Sequence, residues 1–337
     1  MTMTLPLGKI PIDILKGVVF RNLGAQRKEV LLGPTAGIDG AVLDLGDKSL
    51  IVSMDPLTAA VERIGWEAVN VNANDVATFG VEPQFLVSCL MFPESSSRET
   101  VETITSQMDK AAKALNMAII GGHCETTPGL ANPIVVACVM GLTEKGKYVT
   151  ARGAKAGDKL ILTKSAGIEG TAILASDRAP QLTRVFGAEM LNDARRFYNQ
   201  ISVVKDALVA YRTGGVNAMH DPTEGGVLGG IHEMADASNM GVRVYEDKIT
   251  VEPETSQICK YFEIDPLQLI GSGALLIAAK SEHAGIIVEN LAKEKIFAAV
   301  IGEVGGNVNK RLLIQRDGTV RELPRPVSDH LWLALKE

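Results

Sequence analysis

Three aspartates raise the question of chemistry. Read as a helix, Glu62 to Phe79 carries an apolar stripe through Val61, Ile64, Ala68, Val71 and Phe79, and Asp75 falls on that stripe. A carboxylate on a buried face costs several kcal/mol, about 3–5, unless it is paired or holds a metal. Asn72 and Asn74 stand beside it. Taken singly, Asp75 reads first as a buried acid satisfied by backbone donors or an arginine. Asp39 lies in Gly37-Ile-Asp39-Gly40 just before a predicted strand, and Asp55 ends the next one in Ser53-Met-Asp55-Pro56. Each alone is ordinary turn chemistry.

Two glycine-rich stretches accompany them. Gly121-Gly122-His123-Cys124-Glu125 follows a short apolar run, Ala118–Ile120, that reads as a buried strand. The glycines there would let a ligand approach backbone, with His123 and Glu125 on a loop at the sheet edge. Adjacent ligands with no second pair argue against zinc at His123 and Cys124. Asp221-Pro222-Thr223-Glu224-Gly225-Gly226 reads as a capping box, with Asp221 as N-cap and Pro222 at the first helical position. The box does not explain Gly225, Gly226, Gly229 and Gly230, because a glycine costs about 1 kcal/mol relative to alanine inside a helix. A helix start held open for a phosphate would explain them. Acids and glycines recurring at strand ends suit Mg²⁺ bridging nucleotide phosphates, since Mg²⁺ takes oxygen ligands and few protein carboxylates. Other nucleotide signatures fail: the one near P-loop, Gly141 to Lys147, is followed by Tyr148, and no Gly-x-Gly-x-x-Gly occurs.

The elements that must position these residues fall into two groups. The 337 residues are 46% hydrophobic and 22% charged, which excludes a disordered chain and, at roughly 150 residues per domain, suggests two domains. Strand and helix patterns alternate from Ala41 to Gly141. The stretch Lys145 to Asp158 lacks periodicity, and the pattern begins again at Lys159. The boundary is therefore placed between domains 1–150 and 151–337, and the fold class is α+β or α/β. A net charge of −6 and 4% aromatic residues argue against nucleic acid as partner. No apolar run approaches the roughly 20 residues needed to cross a bilayer. No signal peptide is evident, and four cysteines without a C-x-x-C pair suit a reduced, cytoplasmic protein. Cys89 and Cys138, inside apolar runs, read as core residues.

The motifs together resemble the aminoimidazole ribonucleotide (AIR) synthase superfamily, also called PurM-like. Asp39 sits in a segment similar to its Gly-Asp-Asp-Ala-Ala-Val element, and Asn74-Asp75-Val-Ala is similar to its Asn-Asp helix. Gly121-Gly122-His123 stands where members carry Gly-Gly-Glu, Gly-Asp-Thr or Gly-Gly-His. Met219 to Gly226 resembles the Arg-Asp-Pro-Thr-Arg-Gly-Gly of the HypE branch, as do Ile168 to Ser176 and Ile264-Asp-Pro-Leu. The resemblance implies an ATP- and Mg²⁺-binding homodimer whose N-terminal domains pair into a β-barrel flanked by helices, with a C-terminal α/β domain. It implies metal ligands at Asp39, Asp55, Asp75 and Asp221. It implies nucleotide contacts at Asn74, Gly121, Gly122, Thr223, Gly225 and Gly226, and catalytic roles for Asp221 and His123. It further implies an ATP-dependent enzyme related to hydrogenase maturation, with a maturation-complex protein as partner. A sister activity of thiamine-phosphate kinase or AIR synthase type, or a non-catalytic nucleotide-binding scaffold, are the alternatives. HypE members carry their acceptor cysteine after a Pro-Arg element. Here no cysteine follows Cys259, and the family's Lys, Arg and acidic positions are Glu125, Glu224 and Ser272.

Overall fold

The computed structural model describes Leu5, residues 8–58 and residues 61–336. Its first half holds α1 (Ile12–Gly17), β1 (Val30–Leu32), β2 (Ala41–Asp44), β3 (Lys48–Leu57), α2 (Ile64–Ala77), β4 (Phe85–Phe92), α3 (Arg98–Ala114), β5 (Ala118–Thr126) and β6 (Ile134–Glu144). The strands form one open sheet in the order β1-β2-β3-β6-β4-β5, antiparallel except for the β4–β5 pair. Side chains alternate across it with the period of two that a pleated strand imposes. Ile51, Ser53, Leu86, Leu90, Val135, Ala137 and Val139 turn inward under the helices. The other face carries Val52, Met54, Cys89 and Cys138, and no helix among the described residues lies over it. Cys89 and Cys138 are thus half-exposed on an apolar sheet face, not in the core as their runs suggested.

Helix α2 is buried along its whole length except at Trp66, not on one stripe only. The sheet lies on one side, and α6 (Val204–Thr213) packs on another. Val71 joins the cluster around α4 (Ile168–Asp177). A helix buried all round can carry buried polar groups only where each finds a partner or a ligand.

The second half contributes β7 (Lys159–Thr163), α4, α5 (Ala179–Arg195), α6, β8 (Val216–His220), α7 (Gly226–Ser238), β9 (Gly241–Tyr245), α8 (Pro253–Tyr261), β10 (Leu276–Ala279), α9 (Ser281–Lys293), β11 (Ala298–Gly305), β12 (Arg311–Ile314), β13 (Val320–Glu322) and α10 (His330–Lys336). Its sheet runs β13-β12-β9-β11-β7-β10-β8, with only β12–β9 parallel. The β12–β13 pair closes across Asp317-Gly318 as a hairpin. One hydrophobic cluster includes Val69 and Ala73 of α2 with Val203, Met219 and Ile277, so the two halves share a core.

Two local readings change. Strand β5 does not stop at Gly121-Gly122 but continues to Thr126, and all nine of its residues are exposed because it is the sheet's edge. Helix α7 begins at Gly226, with Gly225 as N-cap in a left-handed conformation, so Asp221 caps nothing.

Candidate functional site

The period of β3 meets the period of α2 at four polar side chains. Ser53 Oγ lies 2.7 Å from Asp75 Oδ2 and also contacts the Asp39 carbonyl. The Asp55 N–H donates to Asn72 Oδ1 at 2.6 Å, and Asn72 Nδ2 donates back to the Ala68 carbonyl at 2.9 Å. Asn72 therefore fixes the backbone of Asp55 and leaves its carboxylate facing a cavity that Asp55 and Asp39 both line.

Strand β8 delivers His220 and Asp221 from the other half. His220 is fully buried, its Nδ1 2.7 Å from Asp39 Oδ2 and its Nε2 2.8 Å from Glu233 Oε2. Two carboxylates on one ring require both nitrogens to donate, which is the imidazolium form. Burial opposes that charge, but Asp39 and Glu233 outweigh it and hold the His220 pKa well above its ordinary value. Burial likewise pushes Asp39 up, and His220 outweighs it, so Asp39 stays ionised. Asp221 is fully buried, and neither of its oxygens has a partner among the described residues. Burial and the nearby Asp39 push its pKa up to about 7, against the pull of His220. Burial raises Asp55 to about 6, and burial with Asp221, Asp55 and Asp39 holds Asp75 well above the carboxylate range.

Ligand atoms of Asp39, His220 and Asp221 all lie within 4.8 Å of one another. Both nitrogens of His220 are engaged, so the ring orients Asp39 and is not itself a ligand. What remains is an all-oxygen donor set with two orphaned carboxylate oxygens, which fits Mg²⁺ and not a softer metal. The cavity beside it is about 580 Å³, with Ile12, Leu15, Phe20 and Pro34 on an apolar wall and Asp39, Asp55, Glu224 and Glu233 opposite. A larger cleft of about 830 Å³ lies elsewhere, by Leu115 and Phe297. Three of its charged side chains are engaged in ion pairs, Lys205 with Glu294, Lys164 with Asp206 and Arg212 with Glu82, and none of the expected aspartates lines it.

The structure thus brings Asp39, Asp55, Asp75 and Asp221 together and places the other expected residues differently. Asn74 spends its amide between the halves, Nδ2 donating to the Ile201 carbonyl at 2.8 Å and Oδ1 accepting from the Val203 N–H at 2.7 Å. It ties domains and offers no free group to a nucleotide. Thr223 accepts from Lys9 Nζ at 3.3 Å, near the acids. The Gly225 N–H donates to Asp329 at 2.6 Å and the Gly226 N–H to the Thr223 carbonyl at 3.0 Å, so neither points free toward a phosphate. Gly226 has a packing reason instead: its φ is +61°, and a Cβ there would lie 2.6 Å from the Leu269 carbonyl. Gly122 is needed where β5 passes β4, since a Cβ would strike the Ser88 carbonyl; Gly121 precedes it on the exposed edge. His123 is on that strand, bound to Glu125 at 3.0 Å, and does not line the cavity. His220, Glu233 and Lys9 were not singled out from sequence. His220 lay inside the quoted motif, at its arginine position, while Glu233 and Lys9 carried no local signal.

A family model for the N-terminal domain of AIR synthase related proteins matches residues 37–143, and one for their C-terminal domain matches residues 155–314. The chain belongs to the AIR synthase related proteins. This AIR synthase related chain is 28% identical over 329 residues to a hydrogenase expression/formation protein of Methanocaldococcus jannaschii, covering 96% of this chain and 95% of that one. Carbamoyl dehydratase HypE of Escherichia coli is 28% identical over 257 residues, 74% of this chain and 73% of its own. Among solved structures, a HypE–HypF complex matches with TM-score 0.77 at 21% identity, over 93% of this chain and 99% of the other. HypE in complex with ATP matches at 0.73 and 21%, over 97% and 98%. ThiL complexed with AMPPCP and TMP matches at 0.73 and 17%, over 96% and 99%. These likenesses show the two-domain PurM-like fold.

Proposed function

We propose that the cavity binds ATP with Mg²⁺ and that the protein is an ATP-dependent enzyme of HypE-like type, acting on an acceptor group supplied from outside its own C-terminal segment. The observation that carries this is Asp221: a fully buried carboxylate with both oxygens orphaned, beside an ionised Asp39. A protein tolerates that arrangement where a cation completes it. The HypE structure holding ATP and the ThiL structure holding AMPPCP support a nucleotide as the metal's companion. Bound Mg²⁺ would neutralise phosphate charge during transfer. Asp39, Asp55, Asp75 and Asp221 would hold it, His220 would keep Asp39 ionised and aimed, and the apolar wall would take the base.

The acceptor is placed outside the tail because Pro324-Arg325-Pro326 leads into a tethered segment. Asp329 accepts from the N–H groups of Gly225, Ile270 and Leu331, and α10 buries Leu331 and Ala334 in the cluster that holds α4. Cys259, the last cysteine of the sequence, is ill-placed as well: burial, with the Asp265 carboxylate nearby, pushes its thiol up to about 12. The HypE–HypF complex favours a maturation protein as partner. The uncovered sheet face favours a homodimer.

Asp221→Ser tests the reading, because the residue caps no helix and its loss removes no stabilising bond. ATP turnover and calorimetric affinity for Mg²⁺ with AMPPCP should both fall at least tenfold while the melting temperature does not drop. Retained turnover refutes the assignment. Assaying turnover with carbamoyl donors and with TMP separates the HypE-like reading from the kinase alternative. No described helix is long and apolar enough to cross a membrane.

A further inference from the structure

The acid cluster already has an answer to its charge, and it comes from the N-terminal segment. Lys9 Nζ lies 3.3 Å from Thr223 Oγ1 and 3.9 Å from Glu233 Oε1, and the Lys9 N–H donates to Glu224 Oε2 at 2.9 Å. Gly8 makes the approach possible, since a Cβ there would sit 2.8 Å from Glu224 Oε2. Beyond this anchor the segment is lightly held. Helix α1 buries no residue, and Ile12, Val18, Val19 and Leu23 are all about half exposed. Yet Ile10, Pro11, Ile12, Leu15 and Phe20 line the cavity. A segment that forms a wall of the site while burying little is fastened mainly by the polar contacts of Lys9 and Glu224.

We infer that Lys9 is the resident counter-cation of the metal site and the latch of an N-terminal lid, so that a divalent cation and the Lys9 ammonium compete within the one acidic cavity that Lys9, Asp39, Asp55, Glu224 and Glu233 line. This deepens the nucleotide reading and rests on it for the identity of the second ligand. A cation entering among Asp39, Asp55 and Asp221 repels the ammonium, which shares the cavity with Asp39 and Asp55, and weakens the negative field that held it. Metal alone therefore loosens the segment. Triphosphate arriving with the metal brings back negative charge, and Lys9 closes on it, so the metal–nucleotide pair tightens what the metal alone opens. The sign reversal distinguishes this latch from a segment that merely packs beside the site.

The test uses the full chain with Mn²⁺ as metal probe and AMPPCP as nucleotide. Without nucleotide, Lys9→Gln should bind Mn²⁺ about tenfold more tightly than wild type, the order expected when one like charge lining the same cavity is removed from a largely screened site. Lys9→Arg should keep the wild-type value, because the charge is preserved. Hydrogen exchange over residues 8–23 of the wild type should quicken with Mn²⁺ alone and slow with Mg²⁺ plus AMPPCP. Equal Mn²⁺ affinity in wild type and Lys9→Gln overturns the competition, and exchange that slows with Mn²⁺ alone overturns the latch. If AMPPCP leaves the wild type unbound, the nucleotide reading fails, while the Mn²⁺ comparison still decides the role of Lys9.

Discussion

Asp75 is held where water cannot screen it, and that placement works against folding. Among the described residues its only side-chain partner is the Ser53 hydroxyl, and burial with Asp221, Asp55 and Asp39 favours its protonated form. A carboxylate whose folded pKa is raised adds stability below its unfolded value, about 4, and that contribution is lost as pH rises through the folded value. Asp75→Asn keeps the shape and removes the charge. At pH 8 without metal the variant should be more stable than wild type, by about 1–3 kcal/mol on the scale of buried unpaired charge. Near pH 4 the two should melt alike. The gain in melting temperature that Mg²⁺ with AMPPCP gives the wild type should largely disappear. Thermal melts at the two pH values, with and without ligand, check all three outcomes, and a variant that is less stable at pH 8 contradicts the assignment. Asp75 was legible in the sequence because a charge interrupts an apolar period, and Asp39, Asp55 and Asp221 were legible as a recurring set. His220 and Glu233 were not. Their meaning is a bond between β8 and α7 on one side and Asp39 on the other, and no spacing in the chain encodes it.

At the scale of elements, the start of α7 shows how a local pattern can be sound and still misplace a helix. Asp221 to Glu224 satisfies the chemistry of a capping box, but the helix forms only from Gly226, with Gly225 as its N-cap. Tertiary packing decides this: the chain at Gly226 is pressed on the carbonyls of Leu267 and Leu269, far along in sequence. Gly226→Ala therefore combines a left-handed φ with a collision on backbone that has little room to move. It should cost about 2–4 kcal/mol, by the usual penalties for strained backbone and overpacking. Gly285→Ala in α9 is the matched control, since a Cβ there meets nothing within 4 Å and the change should add up to about 1 kcal/mol. Denaturant melts of the two variants should move in opposite directions. Strand β5 escaped for a related reason. A glycine pair looks like a strand's end, and here it is the means by which an edge strand keeps its place beside β4.

At the scale of the molecule, the six-stranded sheet leaves an obligation unmet by the single chain. Val52 opposes Met140, Met54 opposes Cys138 and Cys89 opposes Val136, so the pairing gathers apolar side chains onto one face that no helix among the described residues covers. Met54 is 62% exposed there, and Ile120 on the adjoining edge strand is 57% exposed. An apolar face of this breadth, ending in a strand whose outer backbone groups are unpaired, is both a binding surface and an aggregation hazard. A second copy of the same face would meet both difficulties, because a two-fold contact is self-complementary by construction. The alternating strands were legible in the sequence as apolar on both sides, which already asked for cover beyond one layer of helices. Which face stayed open was not legible, since it depends on where α2 and α3 come to rest. Met54→Lys places a charge at the middle of β3's outer face without touching the core. Light scattering at micromolar concentration should give a dimer for the wild type and a monomer for the variant, with the variant's far-UV circular dichroism unchanged. The Mg²⁺ and AMPPCP affinity of the variant then reports whether one copy completes the site alone. A monomeric wild type, or a variant that remains dimeric, would place the partner on another surface and leave this sheet face without an occupant.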